Sequence, residues 1–420
     1  MKTLFTNAKI MTMKQGADIF TGDLVVDNDK IIYCGKKYEA AADKTIDCHS
    51  NLLMPGFKDA HTHTAMTFVR NIADDKPLDK WLNEDIFPRE ARLTDEAVYW
   101  FTKLGILEYL TSGITACADM YFRLDAYTEA MINSGFRTVM VDGANNFGGS
   151  AKQIEECYSK YNKISPLISY IPGFHAEYTT SLELMTDIAN LVNDLKAPMY
   201  VHNSETASEV AGCIERYGKT PTELFDSLGM YNYGGGGYHC VYMSDNDYRI
   251  FKEKNLYAVT NPASNLKLAS GIADIERMRK EGIHVALGTD GPSSNNALDF
   301  FREMYLMTGL QKAKTGDATA TPAAYVLDSA TVQGAHAMRL YDCDILEEGK
   351  QADIIMIDLN QPNMQPIHNV ASSVVYSGCK TNVKMTMIAG KILYMDGKFN
   401  VGDEPETVYE KVSELLKGIV

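Results

Sequence analysis

The stretch Pro55-Gly56-Phe57-Lys58-Asp59-Ala60-His61-Thr62-His63 opens apolar, ends in two histidines two residues apart, and runs into a long loop over residues 64–93. Along a β-strand, side chains two apart leave the same face, so His61 and His63 can aim two imidazoles at one ion. A His-x-His pair alone says little, because many such pairs are solvated surface. Here the pair closes an apolar strand, and the top of a barrel strand is where catalytic groups normally sit.

Outward from this stretch, short apolar strands alternate with amphipathic helices. Strand candidates are residues 56–60, 115–119, 137–142, 167–174, 198–203, 238–242, 256–260 and 284–289. Thr94 can cap a helix over Asp95–Thr111, with Gly113 as its stop. Thr180 and Glu183 form a capping box for residues 181–195, Thr220-Pro221 opens a further helix, and residues 323–339 read as a last one. Such alternation favours a parallel sheet. Eight repeats favour closure into an α/β fold of the (β/α)8 TIM-barrel type over an open doubly wound sheet. The two ends read as β: residues 3–13, a hairpin over 22–35 turning at Asn28-Asp29, then 352–358 and 383–394, with a turn signal at Asp396-Gly397. The expected organisation is a small composite β-sandwich domain from residues 1–54 and 350–420, and a metal-dependent barrel over residues 55–349.

A chain of 420 residues, 45% hydrophobic, can fill both units. Its net charge of −15 would repel a nucleic-acid backbone or an anionic membrane, so neither is an expected partner. The 8 cysteines are scattered with no Cys-x-x-Cys pair, which argues against a disulfide scaffold or a thiolate zinc site and for free thiols in a reducing compartment. Lys9, Lys14 and Asp18 interrupt the N-terminal segment, so no signal peptide is expected, and no apolar run is long enough to span a bilayer. The expectation is a cytoplasmic protein with a small-molecule substrate, assembling as a homo-oligomer as large acidic enzymes often do.

Further chemistry-bearing residues fall near the ends of later strands: His175, His202 with Glu205 three residues on, His239, and Asp290. Any one of these histidines alone would be read as a satisfied polar group of core or rim. Taken together, His61, His63, His202, His239 and Asp290 on one rim are what a nitrogen/oxygen metal site requires. His49, His284, His336 and His368 carry no such signal. His175-Ala176-Glu177 lacks the Pro-Cys-x-x-Cys partner of the base-editing zinc deaminases. Gly234–Gly237 precedes a strand rather than a helix and reads as a flexible loop. Met120-Tyr121-Phe122 and Phe300-Phe301 read as pocket wall or core.

The stretches PGFKDAHTH, HNSE at His202–Glu205, HCVYMSDND from His239, VTNPASNLKLASGIA from Val259 and LGTDGPSSNN from Leu287 resemble the amidohydrolase superfamily. Within it, the resemblance is to the group of 5′-methylthioadenosine/S-adenosylhomocysteine deaminases and triazine hydrolases. It implies that His61, His63, His202 and Asp290 ligate one divalent ion, zinc being favoured over iron or manganese. It makes Glu205 the proton shuttle, with His239 beside the reacting water and the developing tetrahedral centre. It places Trp81, Glu90 and His175 against a nucleoside, Glu90 on ribose hydroxyls and His175 on the purine. Two-metal members use a bridging carboxylate, often a carbamylated lysine of the fourth strand; residues 167–178 contain no lysine, which favours one ion.

The implied activity is hydrolysis of a C–N bond in a cyclic amidine, with Glu205, His239 and Asp290 as the catalytic groups. The substrate would be 5′-methylthioadenosine, 5′-deoxyadenosine or adenosine, and the product the inosine analogue plus ammonia. Members that accept S-adenosylhomocysteine place two arginines after the third strand; here those positions read Asp142 and Gly148-Gly149-Ser150-Ala151, with no cation before Lys152. An anionic tail would lose its bidentate partner, so poor binding of that substrate is expected. A guanine, pterin or cytosine deaminase, a triazine hydrolase, and a catalytically silent binding protein on the same fold remain the rival readings.

Overall fold

A computed structural model describes residues 1–419. Five strands come first: β1 (Lys2–Ile10), β2 (Phe20–Asp27), β3 (Lys30–Gly35), β4 (Lys44–Asp47) and β5 (Leu52–Pro55). Then follow β6 (Phe57–Thr62), β7 (Ile114–Tyr121), β8 (Arg137–Asp142), β9 (Ile168–Ile171), β10 (Gly173–Ala176), β11 (Met199–Asn203), β12 (Gly235–His239), β13 (Tyr257–Thr260) and β14 (His284–Leu287). The chain closes with β15 (Ile354–Ile357), β16 (Val383–Ile388), β17 (Lys391–Met395), β18 (Lys398–Phe399) and a helix over Pro405–Leu416.

Both ends of the chain share one 9-stranded sheet, ordered β18-β17-β16-β15-β5-β1-β2-β3, with β4 paired to β1. Its join is β15 antiparallel to β5, pairing Ile354 with Pro55 and Ile357 with Leu52. Alternation decides which face each residue serves. Leu53, Ile354 and Met356 pack with Phe5, Leu24 and Met385, while Leu52, Met54, Ile355 and Ile357 join the main core. Both faces are covered, which is why Ile354–Ile357 is an unbroken apolar run. The residues expected as one strand over 383–394 make a hairpin instead, turning at Ala389-Gly390, both at positive φ.

The middle of the chain forms two parallel sheets, β6-β7-β8-β9 and β10-β11-β12-β13-β14. The expected strand over 167–174 is split at Pro172, which lacks an N–H for the ladder. The split is bridged: the Tyr200 N–H donates to the Pro172 carbonyl at 3.3 Å and the His175 N–H to the Ala144 carbonyl at 2.9 Å. At the other edge the Asp290 N–H donates to the His61 carbonyl at 2.9 Å. Ala60, Ala118, Val139, Ile171, Tyr200, Tyr238, Val259 and Ala286, from eight different strands, pack in one core between the two sheets. At the opposite ends of the strands, Arg137 forms a buried pair with Asp353 at 2.7 Å. Among the described residues no helix is long and apolar enough to cross a membrane.

Three local expectations need correction. Gly235, Gly236 and Gly237 are not a flexible loop but most of β12, so that strand ends at His239 rather than starting at Tyr238. A Cβ on Gly236 would stand 1.9 Å from the Tyr257 carbonyl oxygen, so only glycine lets the neighbouring chain this close. The helix Leu182–Leu195 is capped by Ser181, whose hydroxyl accepts from the Leu184 N–H, and not by Thr180. Residues 64–93 are largely short helical turns, including Thr64–Val69, the π-helical turn Trp81–Ile86 and Phe87–Glu90.

Candidate active site

The C-terminal ends of the parallel strands deliver the site residues to one place. His61 lies in β6 and His63 follows it, His202 lies in β11, His239 ends β12, and Asp290 lies just beyond β14. The His61 ring centroid is 4.8 Å from those of His63 and His202 and 5.7 Å from that of His239. Asp290 Oδ1 is 3.3 Å from His63 Nε2 and 3.7 Å from His61 Nε2. Two triads of ligand atoms share His61, namely His61–His202–His239 and His61–His63–Asp290, each within 4.8 Å. The structure therefore brings together all five residues singled out on the rim.

Three of the imidazoles are aimed by their second nitrogen. His63 Nδ1–H donates to the Met120 carbonyl at 2.6 Å, His202 Nδ1–H to the His175 carbonyl at 2.7 Å, and His239 Nδ1–H to Asn265 Oδ1 at 2.7 Å. Bonded this way, each ring turns Nε2 toward the centre. Burial opposes it, but the hydrogen bond and charge of Asp290 raise His63 to about 9, so its Nε2 holds a proton that a bound cation would displace. His61 is fully buried, and neither of its ring nitrogens has a hydrogen-bond partner. Buried polar atoms are rarely left so, and a cation at the shared centre is a partner the geometry admits. Imidazole nitrogens with a carboxylate oxygen are the donors that zinc, iron and manganese take, so the residues fit a divalent ion.

Protonation states follow from burial and crowding. Burial, then the charges of neighbouring imidazoles, hold His61 and His202 well below the ordinary histidine range, hence neutral. Burial opposes ionisation of Asp290, but the hydrogen bond and charge of His63, with His239 and His61, hold it well below the usual carboxylate range. Its Oδ2 accepts from the Ser264 hydroxyl at 2.5 Å and the Ser294 hydroxyl at 2.9 Å, and its Oδ1 from the Gly291 N–H at 2.7 Å.

Glu205 leaves β11 through Ser204, which sits at φ +53°. Glu209 clamps this corner, accepting the Ser204 N–H at 3.1 Å and the Glu205 N–H at 2.7 Å. The Glu205 carboxylate accepts from the Ser270 hydroxyl at 3.1 Å and lies 3.8 Å from His239 Nε2. Burial pushes its pKa up, with the charge of His239 opposing. A carboxyl raised in this way holds a proton more readily than an exposed one.

The site lies in a cavity of about 1020 Å³ whose lining includes Trp81, Glu90 and His175. Burial pushes Glu90 up to about 7, with the neighbouring Tyr121 hydroxyl opposing. Burial, then the charge of His63, pushes His175 down to about 4, and its Nδ1 meets the Thr179 hydroxyl at 2.8 Å. Trp81 is both packed in the core and part of the cavity wall, and its indole N–H is buried without a partner. Met120, Tyr121 and Phe122 also line the cavity, whereas Phe300 and Phe301 pack against Phe57 in the core. Asp142 is buried at the cavity wall, accepting from the Tyr170 hydroxyl at 2.6 Å. The cations of the lining are Arg123, paired to Asp95 at 2.6 Å, and Lys160, paired to Asp125. Lys152 points to solvent, with its side chain 83% exposed.

The supporting residues Asn265, Ser264, Ser294, Ser270 and Glu209 were not foreseen individually. All but Glu209 lie inside the stretches from Val259 and Leu287 that carry the family resemblance. Glu209 was signalled by Thr206, since the two form a capping box.

A model of the amidohydrolase family matches residues 52–393. The chain is 36% identical to a 5-methylthioadenosine/S-adenosylhomocysteine deaminase of Caldanaerobacter subterraneus subsp. tengcongensis, over 100% of this chain and 99% of that one. It is 37% identical to a 5′-deoxyadenosine deaminase of Methanosarcina mazei, over 97% of this chain and 96% of that one. Among solved structures, an adenosine deaminase from Xanthomonas campestris with bound zinc superposes with a TM-score of 0.93 at 30% identity, covering 99% of this chain and 98% of that one.

An ion that binds only the folded chain stabilises it by mass action, by about 2.7 kcal/mol at a hundredfold excess over Kd. Zinc added to chelator-stripped protein is therefore expected to raise Tm, and His61→Ala to abolish the rise. A calorimetric scan showing no zinc-dependent shift in the wild type would contradict the metal fit.

Proposed function

The chain belongs to the amidohydrolase family, and from that premise we propose that it is a metal-dependent deaminase converting a small adenine nucleoside to its inosine analogue with release of ammonia. The observation that carries this reading is the convergence of His61, His63, His202, His239 and Asp290 beside the buried Glu205, with all of them but His61 lining the cavity. The relatives' deaminase activities give the reaction class, and the size and lining of the cavity support a nucleoside.

In this reading the two parallel sheets are one closed (β/α)8 barrel over residues 55–349, with residues 1–54 and 350–420 as a composite β domain. The core fed by eight strands and the hydrogen bond from Asp290 to His61 support closure. His61, His63, His202 and Asp290 would hold one ion, zinc by preference. When bound, a divalent ion supplies Lewis acidity, lowering the pKa of water from about 16 toward 7.

The chain's own groups move the protons. Asp290, held ionised by its neighbours, accepts the proton of the attacking water. Glu205 protonates the ring nitrogen adjoining the amine-bearing carbon, which its raised pKa suits it to do. His239, fixed by Asn265, stabilises the oxygen added at that carbon when it carries a proton. Return of protons through Asp290 and Glu205 lets ammonia leave. Glu90 accepts from the ribose hydroxyls, His175 meets the purine edge, and Trp81 packs on the base.

Toward the 5′ end of such a substrate the wall offers Asp142 and two cations already engaged by carboxylates. A homocysteine tail would bring an anionic group there without a free partner. The expected ranking places 5′-methylthioadenosine, 5′-deoxyadenosine and adenosine above S-adenosylhomocysteine.

Three measurements check this reading. Glu205→Gln should keep its ion and lose about 10²–10⁴ in kcat; near wild-type turnover would remove Glu205 as the shuttle. In ammonia-release assays, S-adenosylhomocysteine should fall at least tenfold below the tail-less nucleosides in kcat/KM, and comparable efficiencies would refute the tail argument. Because burial raises Glu90 to about 7 and a carboxylate accepts hydroxyl donors more strongly than its acid, KM should rise as pH falls through 7. Glu90→Gln should show a higher KM that no longer changes with pH, and a retained pH dependence would assign the effect elsewhere.

A further inference from the structure

Three of the four central imidazoles are oriented by an acceptor at Nδ1; His61 has none among the described residues. A buried ring without such a bond still needs something to fix its plane. His61 lies face to face with Tyr238, the centroids 3.7 Å apart and the planes 20° apart. Tyr238 in turn faces Tyr200 at 5.5 Å and 16°. Tyr200 is pinned at the far side, its hydroxyl donating to the Ala337 carbonyl at 2.8 Å. All three rings are buried, so the column passes from the metal-ligand cluster through the core between the sheets to the helix Gly334–Ala337.

Two features of β12 make the column possible. A Cβ at Gly236 would come 3.0 Å from Tyr200 Cε1, so the glycine leaves room for the lower ring. His239 sits at φ +70°, which breaks the usual alternation and lets consecutive residues, Tyr238 and His239, both approach His61. The Tyr238 hydroxyl is buried and has no hydrogen-bond partner. What this position offers the site is the ring face rather than a hydrogen bond.

We propose that Tyr238 is a positioning residue for His61, its stacked ring doing for that imidazole what a carbonyl or amide acceptor does for the other three. The inference rests on His61 being a metal ligand. It assigns Tyr238 no contact with substrate. Its consequence is that a flat ring at position 238, with or without a hydroxyl, sets the strength of metal binding.

The test measures zinc affinity by chelator competition on the full chain, with the visible spectrum of the cobalt-substituted protein as a second readout of ligand geometry. Tyr238→Phe keeps the ring and should bind zinc within about twofold of wild type, whereas Tyr238→Met, apolar, flexible and without a ring, should lose about 10–100-fold, the usual cost of removing an orienting partner. The cobalt spectrum should change in Tyr238→Met and stay unchanged in Tyr238→Phe. Equal affinities for the two variants, or an equal loss in both, would overturn the proposal. Should Tyr238→Met fail to fold, Tyr200→Leu, which removes the ring beneath and leaves Tyr238, should weaken zinc binding severalfold; unchanged affinity there would also overturn it. A wild-type chain that binds no zinc would overturn the ligand reading itself, and the inference with it.

Discussion

One set of hydrogen bonds between distant parts of the chain holds the site together. The Asp290 N–H donates to the His61 carbonyl at 2.9 Å, while Asp59 accepts the Thr289 N–H at 2.9 Å and its hydroxyl at 2.6 Å. These bonds tie β6 to the segment after β14 among buried residues, where an unmade bond carries its full desolvation cost. They set the carboxylate of Asp290 against the His61–His63 pair. Every other property of the site, including the ionised state of Asp290 and the facing of the imidazoles, presupposes that meeting.

A second layer then fixes direction. Backbone carbonyls of Met120 and His175 and the side chain of Asn265 choose the tautomer of three histidines. Serine hydroxyls from the short helix Pro262–Lys267 and from the segment after β14 hold Asp290, and that of Ser270 holds Glu205. Ser204, His239 and Asp290 adopt positive φ where strands give way to loops, a conformation uncommon for non-glycine residues and often stored at functional sites. Strain of that kind persists only where surrounding bonds over-determine it, as the Glu209 clamp does for Ser204 and Glu205.

Much of this was legible in the amino-acid sequence because it obeys short-range rules. The spacing of His61 and His63, the capped helices at Thr94 and Thr220, and the nearness of His202 and Asp290 to the C-terminal ends of strands follow from period and capping alone, although β14 stops at Leu287, short of the expected Thr289. What was misread depends on long-range contacts. Gly235–Gly237 resembles a loop until the closeness of the Met199 and Tyr257 backbones is known. The break at Pro172 is the exception, marked locally by the proline itself although the apolar run passes straight through it. The orienting partners of the histidines include backbone carbonyls, which carry no side-chain signature, and the ring column beneath His61 reads locally as ordinary core.

Specificity is a separate matter from the chemistry at the centre. In the proposed function the imidazoles and Glu205 would set what bond can be broken, while Asp142, the paired Arg123 and Lys160 and the wall at Trp81 and Glu90 would set what molecule arrives. The proposed chemistry requires a cation held by nitrogen and oxygen donors alone. X-ray absorption at the zinc edge of the loaded chain tests that most directly. The account predicts a first shell of nitrogen and oxygen at about 2.0–2.1 Å, with the outer-shell scattering of at least three imidazoles. A sulfur shell at about 2.3 Å, or no imidazole scattering, would contradict it.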